Sequence, residues 1–212
     1  MKKCKLTRKQ KAISWLCVLL LCVIVQNIFC PYYSIIPSLA ARHSAYADGV
    51  IGKLHHLTTI KNGSYKMYLY ATDDGVAISE VNLATLIFTG HTTIKYCEGN
   101  KDFYAFRTET FLNRQKPDVH LNTFYGRIDN KDIDRIVVYY SLRDYNSESV
   151  ESDFEIYKEY EITKNDECKF CEFNGKLYFA LSVETEFFPQ KVSKFVAVGY
   201  SKDGTKLCEV EL

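Results

Sequence analysis

The first 30 residues contain no aspartate or glutamate, although the whole chain carries 26 acidic and 27 basic side chains. Six of the basic residues precede residue 12, which leaves 21 basic against 26 acidic residues downstream and a net charge of −5 over residues 31–212. A mildly acidic domain lacks the basic surface that phosphate backbones require. The sequence therefore predicts no nucleic-acid partner and no attraction to anionic lipid or anionic wall polymers.

The chain also lacks the short motifs of common catalytic sites. It has no G-x-S-x-G, no H-E-x-x-H and no glycine-rich phosphate loop. The oxygen-rich run at residues 129–134 does not have the spacing of a calcium loop, and we interpret it as a polar turn that opens a strand. These absences favour a protein that is not an enzyme, and they predict no cofactor, no metal ligand and no catalytic residue.

A long apolar stretch follows the basic head. It begins at Ala12, ends at Cys30 and reads AISWLCVLLLCVIVQNIFC. As a helix it is long enough to cross a hydrocarbon core of about 30 Å, and a basic flank on one side of a single span marks the cytoplasmic side. We predict a cytoplasmic head at residues 1–11, a transmembrane signal-anchor at residues 12–30 and a single-pass topology with the C-terminal domain outside the cell.

Residues 31–48 are interpreted as a stalk that leads to an extracytoplasmic β domain at residues 49–212. Pro31 ends the membrane helix, and His43 is interpreted as a solvated linker residue. The alternative is a signal peptide cleaved after Ala47, which would release a secreted domain. A retained anchor is favoured because this site lies far downstream of the apolar stretch.

From residue 49 onward, apolar and polar residues alternate with the period of a strand. Runs of this kind lie at residues 64–70, 131–140, 154–162, 176–183, 194–200 and 206–212. In the third run Phe154, Ile156, Tyr160 and Ile162 share one face, although Lys158 falls on that face too. Each run predicts a strand with one buried and one solvated face.

Turn signals separate these runs. The dipeptides Asn62-Gly63, Asp74-Gly75, Asn174-Gly175 and Asp203-Gly204 accept the positive φ of tight hairpins. Three stretches compete for helix, at residues 50–58, 108–115 and 146–153; we interpret the first as a leading strand and the others as loops or single turns. The pattern predicts an all-β fold, an antiparallel sandwich or open barrel of hairpins.

Three segments carry a resemblance to other proteins. They are ATDDGVAI at residues 71–78, FYGRIDNKDI at residues 124–133 and FVAVGYSKDG at residues 195–204. They resemble the strand and turn motifs of a loose group of uncharacterised small exported or membrane-anchored proteins of Gram-positive bacteria. The resemblance implies an origin and a fold, and it carries no catalytic residues. This chain departs from the group in having cysteines, and in having Tyr and Phe where the group often has Trp.

Four cysteines, Cys97, Cys168, Cys171 and Cys208, lie in the predicted exported domain. They permit two disulfides in three connectivities, and a bond between Cys168 and Cys171 would require a turn there. Their spacing fits neither a four-cysteine zinc site nor a thioredoxin-like motif. Unpaired or structural cysteines are favoured over disulfides, and both over metal or redox chemistry.

The histidines are weighed as catalytic groups. His55 and His56 are adjacent, so on a strand they face opposite ways and cannot chelate one ion together. His91 and His120 lie in turn-like sequence. Solvated side chains are the favoured interpretation of all four.

Two pairs of carboxylates are also candidate catalytic groups. Glu184 and Glu186 share one strand face, as do Glu159 and Glu161, and glycosidases use two neighbouring carboxyl groups. Solvated strand faces also carry such pairs, and this interpretation is favoured.

Tyrosine gives the clearest functional hint. The patterns Tyr65-x-x-Tyr68-x-Tyr70, Tyr139-Tyr140 and Tyr157-x-x-Tyr160 place rings on faces that cannot all be core. Exposed tyrosines suit a surface that binds protein or glycan, whereas buried ones fill a core without tryptophan. We predict a membrane-tethered binding or accessory module, with a small cell-surface hydrolase using carboxylate or histidine residues as the alternative.

Overall fold

The fold was analysed in a computed structural model of the chain. It describes residues 7–30, 32–62, 65–84, 87–99, 101–111, 119–144, 154–163 and 169–212, and for residues 26–29, 62, 84 and 111 it describes the backbone alone. The elements are α1 (Arg8–Phe29), β1 (Tyr33–Ser34), α2 (Pro37–Ala47), β2 (His55–Asn62), β3 (Tyr65–Ala71), β4 (Gly75–Ala84), β5 (Ile87–Tyr96), β6 (Phe103–Phe111), β7 (Val119–Ile128), β8 (Arg135–Asp144), β9 (Glu155–Thr163), β10 (Phe170–Phe173), β11 (Lys176–Glu186), β12 (Lys191–Tyr200) and β13 (Lys206–Glu211).

The strands form three antiparallel sheets. Sheet A has the order β1-β5-β4-β3-β2, sheet B the order β10-β11-β7-β6, and sheet C the order β13-β12-β8-β9. Every ladder in them is antiparallel. The antiparallel, mostly β class predicted from the sequence is therefore confirmed.

Sheet B contributes both of its faces to the core. On one face Leu121 and Tyr125 pack against sheet A, where Met67 is a partner. On the other face Phe124 packs against sheet C, and its ring centroid lies 5.3 Å from that of Phe195. Since successive side chains of a strand point to opposite faces, the burial of β7 from His120 to Ile128 fits a strand that is covered on both sides.

Helix α2 covers the free face of sheet A. Its Ala40, Ala41 and Ala45 are fully buried, and they pack against side chains that include Tyr68 and Tyr70. The predicted stalk is therefore wrong for Pro37–Ala47, and His43, predicted to be solvated, is half-buried. Alanines bury little area each, so the helix depends on close contact with the sheet rather than on an apolar stripe.

Hydroxyl groups fix this helix to the sheet. Ser44 Oγ lies 2.9 Å and Ser79 Oγ 2.7 Å from Thr92 Oγ1, and the Ser79 hydroxyl also donates to the Ala41 carbonyl at 3.1 Å. After the helix, the Asp48 carboxylate accepts a hydrogen bond from the Thr92 amide at 2.7 Å. These buried polar groups are all paired, which fixes where α2 sits on β4 and β5.

Helix α1 occupies the predicted apolar stretch. Its apolar side chains are exposed, with Trp15 at 74% and Leu19 at 63%. Within the described residues, no helix combines the length and the apolar composition that a membrane crossing requires. The helix is confirmed, and its membrane crossing stays a prediction.

Most predicted strands are present. The runs at residues 64–70, 176–183, 194–200 and 206–212 correspond to β3, β11, β12 and β13, and the charged turn at residues 131–134 leads into β8. The predicted leading strand at residues 50–58 begins only at His55. Of the two stretches predicted as loops, residues 108–111 belong to β6, whereas residues 112–115 and 146–153 lie outside the described residues.

The hairpin turns differ in their details. Asn174 and Gly175 have φ values of 52° and 71° between β10 and β11, as the predicted type I′ turn requires. At Asp203-Gly204 only the glycine has positive φ, and at Asp74-Gly75 neither residue does. Gly63 lies outside the described residues, so the turn at Asn62-Gly63 stays a prediction.

Candidate functional site

A groove between β9 of sheet C and β11 of sheet B is the candidate site. Its volume is about 260 Å³. The lining side chains are Val119, Tyr157, Lys158, Tyr160, Glu184, Thr185 and Glu186. It therefore brings together the carboxylate pair and one of the tyrosine pairs that the sequence places 24 or more residues apart.

The two carboxylates that line the groove lie at the C-terminal end of β11. Glu184 pairs in register with Leu121 and Glu186 with Val119, so both belong to the end of the ladder between β11 and β7. Residues two apart on a strand share a face, about 7 Å from each other. The predicted common face of this pair is thus confirmed by the register; it is the face on which Leu121 packs against sheet A, and both glutamates line the groove at the margin of sheet B.

A β-bulge in β9 creates the opposite wall. Tyr140 pairs with Lys158 and Ser141 with Ile156, so Tyr157 is an extra residue in the ladder. A bulge reverses the alternation beyond it. The predicted buried face at residues 154–162 is therefore wrong for Ile156, which is 58% exposed.

The bulge turns Tyr157 towards sheet B. Its ring lies 5.5 Å from that of Tyr140 and 5.4 Å from that of Phe188, both nearly perpendicular to it. Its hydroxyl donates to Glu186 Oε2 at 3.3 Å, and the Tyr140 hydroxyl donates to the Glu186 carbonyl at 2.9 Å. Two tyrosines of sheet C thus hold the end of β11 in place.

The hydroxyls of the groove are neutral donors at physiological pH. Partial desolvation, followed by the charge of Glu186, raises the pKa of Tyr157. Burial, followed by Tyr157 and Glu186, raises the pKa of Tyr160, whose hydroxyl is buried and has no hydrogen-bond partner among the described residues. The Lys158 ammonium lies 5.4 Å from the centre of the Tyr160 ring.

Neither carboxylate of the groove is neutralised by an ion pair with a described residue. From the described part of the chain, the Glu186 carboxylate accepts one hydrogen bond, that of the Tyr157 hydroxyl, and a carboxylate has acceptor sites for several. Carboxylates beside tyrosine rings accept hydrogen bonds from the hydroxyls of a sugar or from an ammonium or guanidinium group, and they stabilise a cation electrostatically.

A second polar cluster lies next to the groove on β6 and β7. His120 Nδ1 contacts Glu109 Oε1, and Glu109 accepts a hydrogen bond from Arg107 at 2.8 Å. His120 is 7% exposed, and its ring stacks on that of Phe187 with the centroids 5.0 Å apart. The prediction of a solvated His120 in a turn is therefore wrong, because β7 begins at Val119.

This cluster is bonded internally. Arg107 Nε donates to Asn122 Oδ1 at 2.5 Å, and Asn122 Nδ2 donates to Thr185 Oγ1 at 2.6 Å. The Arg107 guanidinium lies 4.2 Å above the Phe195 ring. These contacts satisfy buried polar groups at the end of the interface between sheets B and C, which is a structural role.

The other histidines do not converge on this site. His55 stacks near Phe173 at 4.4 Å, whereas His56 bonds Thr59 at 2.9 Å. The side chain of His91 is 75% exposed, as predicted.

The other predicted groups lie elsewhere as well. Glu161 is on the outer face of sheet C, where Arg135 donates to it at 3.3 Å. Tyr68 and Tyr70 are buried under α2, and Tyr139 shares a 2.7 Å hydrogen bond with Tyr200. Most of the tyrosines that suggested a binding surface therefore belong to the core or to internal pairs.

The cysteines are dispersed. Cys97 and Cys208 are free thiols in half-buried positions, so no bond joins them. The Cys171 thiol lies 3.8 Å from the Leu57 carbonyl, and Cys168 lies outside the described residues. Across the ranges that the structure describes, no group of three or more His, Cys, Asp or Glu side chains is placed to hold a metal ion.

One residue in the sequence indicates the bulge that shapes the groove. Lys158 on the apolar face of the run at residues 154–162 marks the position where the ladder shifts. The approach of β9 to β11 is a long-range contact, and no local pattern encodes it.

Comparison of the chain with family models, with curated proteins and with solved structures gives no significant match. The resemblance to exported proteins of Gram-positive bacteria stays a prediction.

Proposed function

We propose that this protein is a binding module tethered to the outer face of a cell membrane, and that its antiparallel β sandwich holds a ligand in the groove between β9 and β11. The observation that carries the proposal is the composition of the groove. Two carboxylates that form no ion pair with a described residue line an open cleft together with Tyr157 and Tyr160, and the Tyr157 hydroxyl donates to Glu186. Such a surface supplies directional acceptors and aromatic area, which are the components of recognition rather than of bond cleavage.

The tether is supported by α1. Six basic residues precede or begin the helix, and its apolar side chains are exposed to an extent that is unfavourable in water. Burial of residues 12–30 in lipid would remove this cost. With the head inside, the β domain lies outside the cell.

Helix α2 supports retention of the anchor over cleavage. Cleavage after Ala47 would separate α2 from the sheet on which Ala40, Ala41 and Ala45 are fully buried. The free face of sheet A, including Tyr68 and Tyr70, would then be uncovered. The released form is the less stable product, so we favour the signal-anchor.

The ligand is a protein or a glycan of the cell exterior. A net charge of −5 outside the membrane and the acidic groove oppose binding of nucleic acid and of anionic polymers. Ligand binding alone accounts for the groups that line the groove. We therefore propose that the protein is not an enzyme.

A hydrolase is the second candidate, because Glu184 and Glu186 face one groove. The two carboxyl groups of a glycosidase flank the scissile bond, one on each side. Glu184 and Glu186 instead extend side by side from one strand, which does not place them on opposite sides of a substrate. Binding is therefore favoured over hydrolysis.

The test uses the full chain in detergent micelles, immobilised and exposed to solubilised cell-envelope proteins and glycans. We expect a component that the parent retains and that the Glu184→Gln, Glu186→Gln double variant loses. Glu172→Gln is the matched control, because Glu172 is exposed on β10 and does not line the groove. Equal retention by the parent and the double variant would contradict the proposed site.

The same preparation tests the second candidate. Peptide, ester, phosphate and glycoside reporters should show no turnover by the parent above that of the double variant. Turnover that survives purification and is lost in the double variant would replace the binding function with hydrolysis.

A further inference from the structure

We propose that one corner of sheet A rests on the outer leaflet of the membrane, where exposed aliphatic side chains and two lysines contact phospholipid headgroups. This inference rests on the proposed function, because it takes α1 as the membrane anchor, and it adds a lipid-binding surface on the folded domain. It follows from the short link between α1 and sheet A, from apolar side chains exposed at this corner and from two lysines that stand opposite each other beside them.

The first observation is that sheet A begins almost directly after α1. The helix ends at Phe29 and β1 begins at Tyr33, so the Cα atoms of these two residues are at most about 14 Å apart. The Gly90 amide of β5 donates to the Tyr32 carbonyl at 2.8 Å, and β1 pairs with β5. Backbone hydrogen bonds thus join the end of the anchor to the sheet, and a span at residues 12–30 would bring this part of sheet A to the bilayer surface.

The second observation is that apolar side chains from two distant parts of the chain are exposed at this corner. Ile35 and Ile36 lie between β1 and α2, and Leu83 lies near the end of β4; each of the three is close to half exposed. Leu83 and Ser34 both pair with Phe88 of β5, so these three residues form one row across β4, β5 and β1. Two strand spacings, about 10 Å, therefore separate Leu83 from β1.

The third observation is a pair of like charges in the neighbouring row. Lys61 of β2 stands directly opposite Lys66 of β3, and Lys66 pairs in turn with Val81 of β4. Because Val81 and Leu83 are two residues apart on one strand, both lysines share the face of Leu83. The Lys66 ammonium lies 5.4 Å from the centre of the Phe88 ring, which places it beside the apolar row.

Directly opposed like charges destabilise a sheet. Neither Lys61 nor Lys66 forms an ion pair with a described residue, so no carboxylate of that part of the chain offsets their repulsion. A phosphate group at this corner would supply the missing counter-charge.

A phospholipid surface fits both the aliphatic and the cationic side chains. Interfacial segments bury apolar side chains at the level of the headgroups and keep lysines among the phosphates. The net charge of −5 over residues 31–212 opposes long-range attraction to anionic lipid, so the contact depends on α1 to hold the corner near the bilayer. A zwitterionic phospholipid supplies the phosphate without adding net negative charge.

The test uses the full chain in phosphatidylcholine vesicles, in which part of the lipid is brominated near the top of its acyl chains and quenches tryptophan fluorescence on contact. The reporter is Leu83→Trp in a Trp15→Phe background, since Trp15 is the single tryptophan. Tyr96→Trp in the same background is the matched control. Tyr96 is similarly exposed on the same face of sheet A, about 27 Å along β5 from Phe88.

We expect Leu83→Trp to be quenched about threefold or more strongly than Tyr96→Trp, because side chains of an interfacial surface reach the upper acyl region. Adding Lys61→Gln and Lys66→Gln should weaken the quenching of Leu83→Trp without lowering the melting temperature, since these changes remove opposed charges. Equal quenching of the two reporters, as expected if another protein covers the corner, would overturn the lipid surface. Unchanged quenching after both lysines are replaced would overturn their role in it.

The parent protein separates failure of this inference from failure of the tether on which it rests. Its Trp15 lies in α1, so the same brominated lipid should quench it if α1 crosses the bilayer. If Trp15 is quenched while the two reporters are quenched equally, the lipid surface is wrong and the tether stands. If Trp15 is not quenched, both are wrong.

Discussion

At the scale of single residues, Asn174 and Gly175 show how local sequence decides local structure. Both adopt positive φ in the two-residue turn between β10 and β11. A Cβ at Gly175 would meet no atom within 4 Å, so a side chain there is opposed by the backbone conformation alone.

We predict that Gly175→Val destabilises the fold by about 1 kcal/mol or more, because a β-branched residue disfavours positive φ. Asn174→Gly should be tolerated, since glycine adopts this conformation without strain. Chemical denaturation of both variants measures the difference. Equal stability of Gly175→Val and the parent would show that the turn is misassigned.

Cys97 allows a prediction about reactivity. Burial raises the pKa of its thiol from 9.0 to about 11. The thiolate is the reactive form, and two pKa units lower its fraction near pH 8 by ~100-fold. We predict that iodoacetamide modifies Cys97 at least tenfold more slowly in the folded protein than after denaturation, with a rate that rises with pH up to about 11. Equal rates in the two states would contradict the buried position.

At the scale of elements, Gly90 marks a close approach of α2 to β5. A Cβ at Gly90 would lie 2.6 Å from the Ala40 carbonyl oxygen and 2.8 Å from Ser44 Oγ. Glycine is thus required at this position by the helix backbone.

We predict that Gly90→Ala lowers the free energy of unfolding by about 1–3 kcal/mol, because α2 must move away from the sheet and weaken its hydroxyl contacts. Lys95→Ala is the matched control, since Lys95 lies on the same strand and is exposed. Thermal unfolding of both variants makes the comparison. A Gly90→Ala protein as stable as the control would mean that α2 is not held against β5.

The elements also show what the sequence could predict. Alternation predicted β12 and β13, in which more buried and more exposed residues alternate over part of the strand. It also predicted β3 and β11, although most of β3 and the middle of β11 are buried on both faces, so the predicted solvated face is wrong there. Helix α2 was missed because its buried face consists of alanines, which give almost no apolar signal, and its stability comes from contact with sheet A.

The sequence predicted the residue pairs of the groove but not their proximity, which depends on tertiary contacts. The sequence identified the Glu184 and Glu186 pair and the Tyr157 and Tyr160 pair separately. Their meeting depends on the bulge at Tyr157 and on the packing of sheet C over sheet B, which are tertiary effects. His120 was misplaced because its burial is decided by a partner, Glu109, on the neighbouring strand.

At the scale of the whole molecule, the layers explain why the groove lies where it does. Sheet B is covered by sheet A on one face and by sheet C on the other, so its interior cannot be a binding surface. The groove forms where β9 and β11 approach at the margin of this stack. A module anchored by residues 12–30 would hold this margin at the outer membrane surface.

The central claim is that the groove is outside the cell and occupied there. Val119→Cys places a thiol in the groove and keeps both carboxylates, whereas Glu172→Cys places one on the exposed part of β10. The measurement is the labelling of both variants by a membrane-impermeant maleimide, in intact cells and after purification, with the signal of the parent subtracted.

We predict that both variants react in intact cells without permeabilisation. We also predict that the rate for Val119→Cys relative to Glu172→Cys is lower in cells than in the purified protein, because a bound ligand shields the groove. Labelling that begins only after the membrane is permeabilised, or a rate ratio that is the same in cells and after purification, would contradict the account.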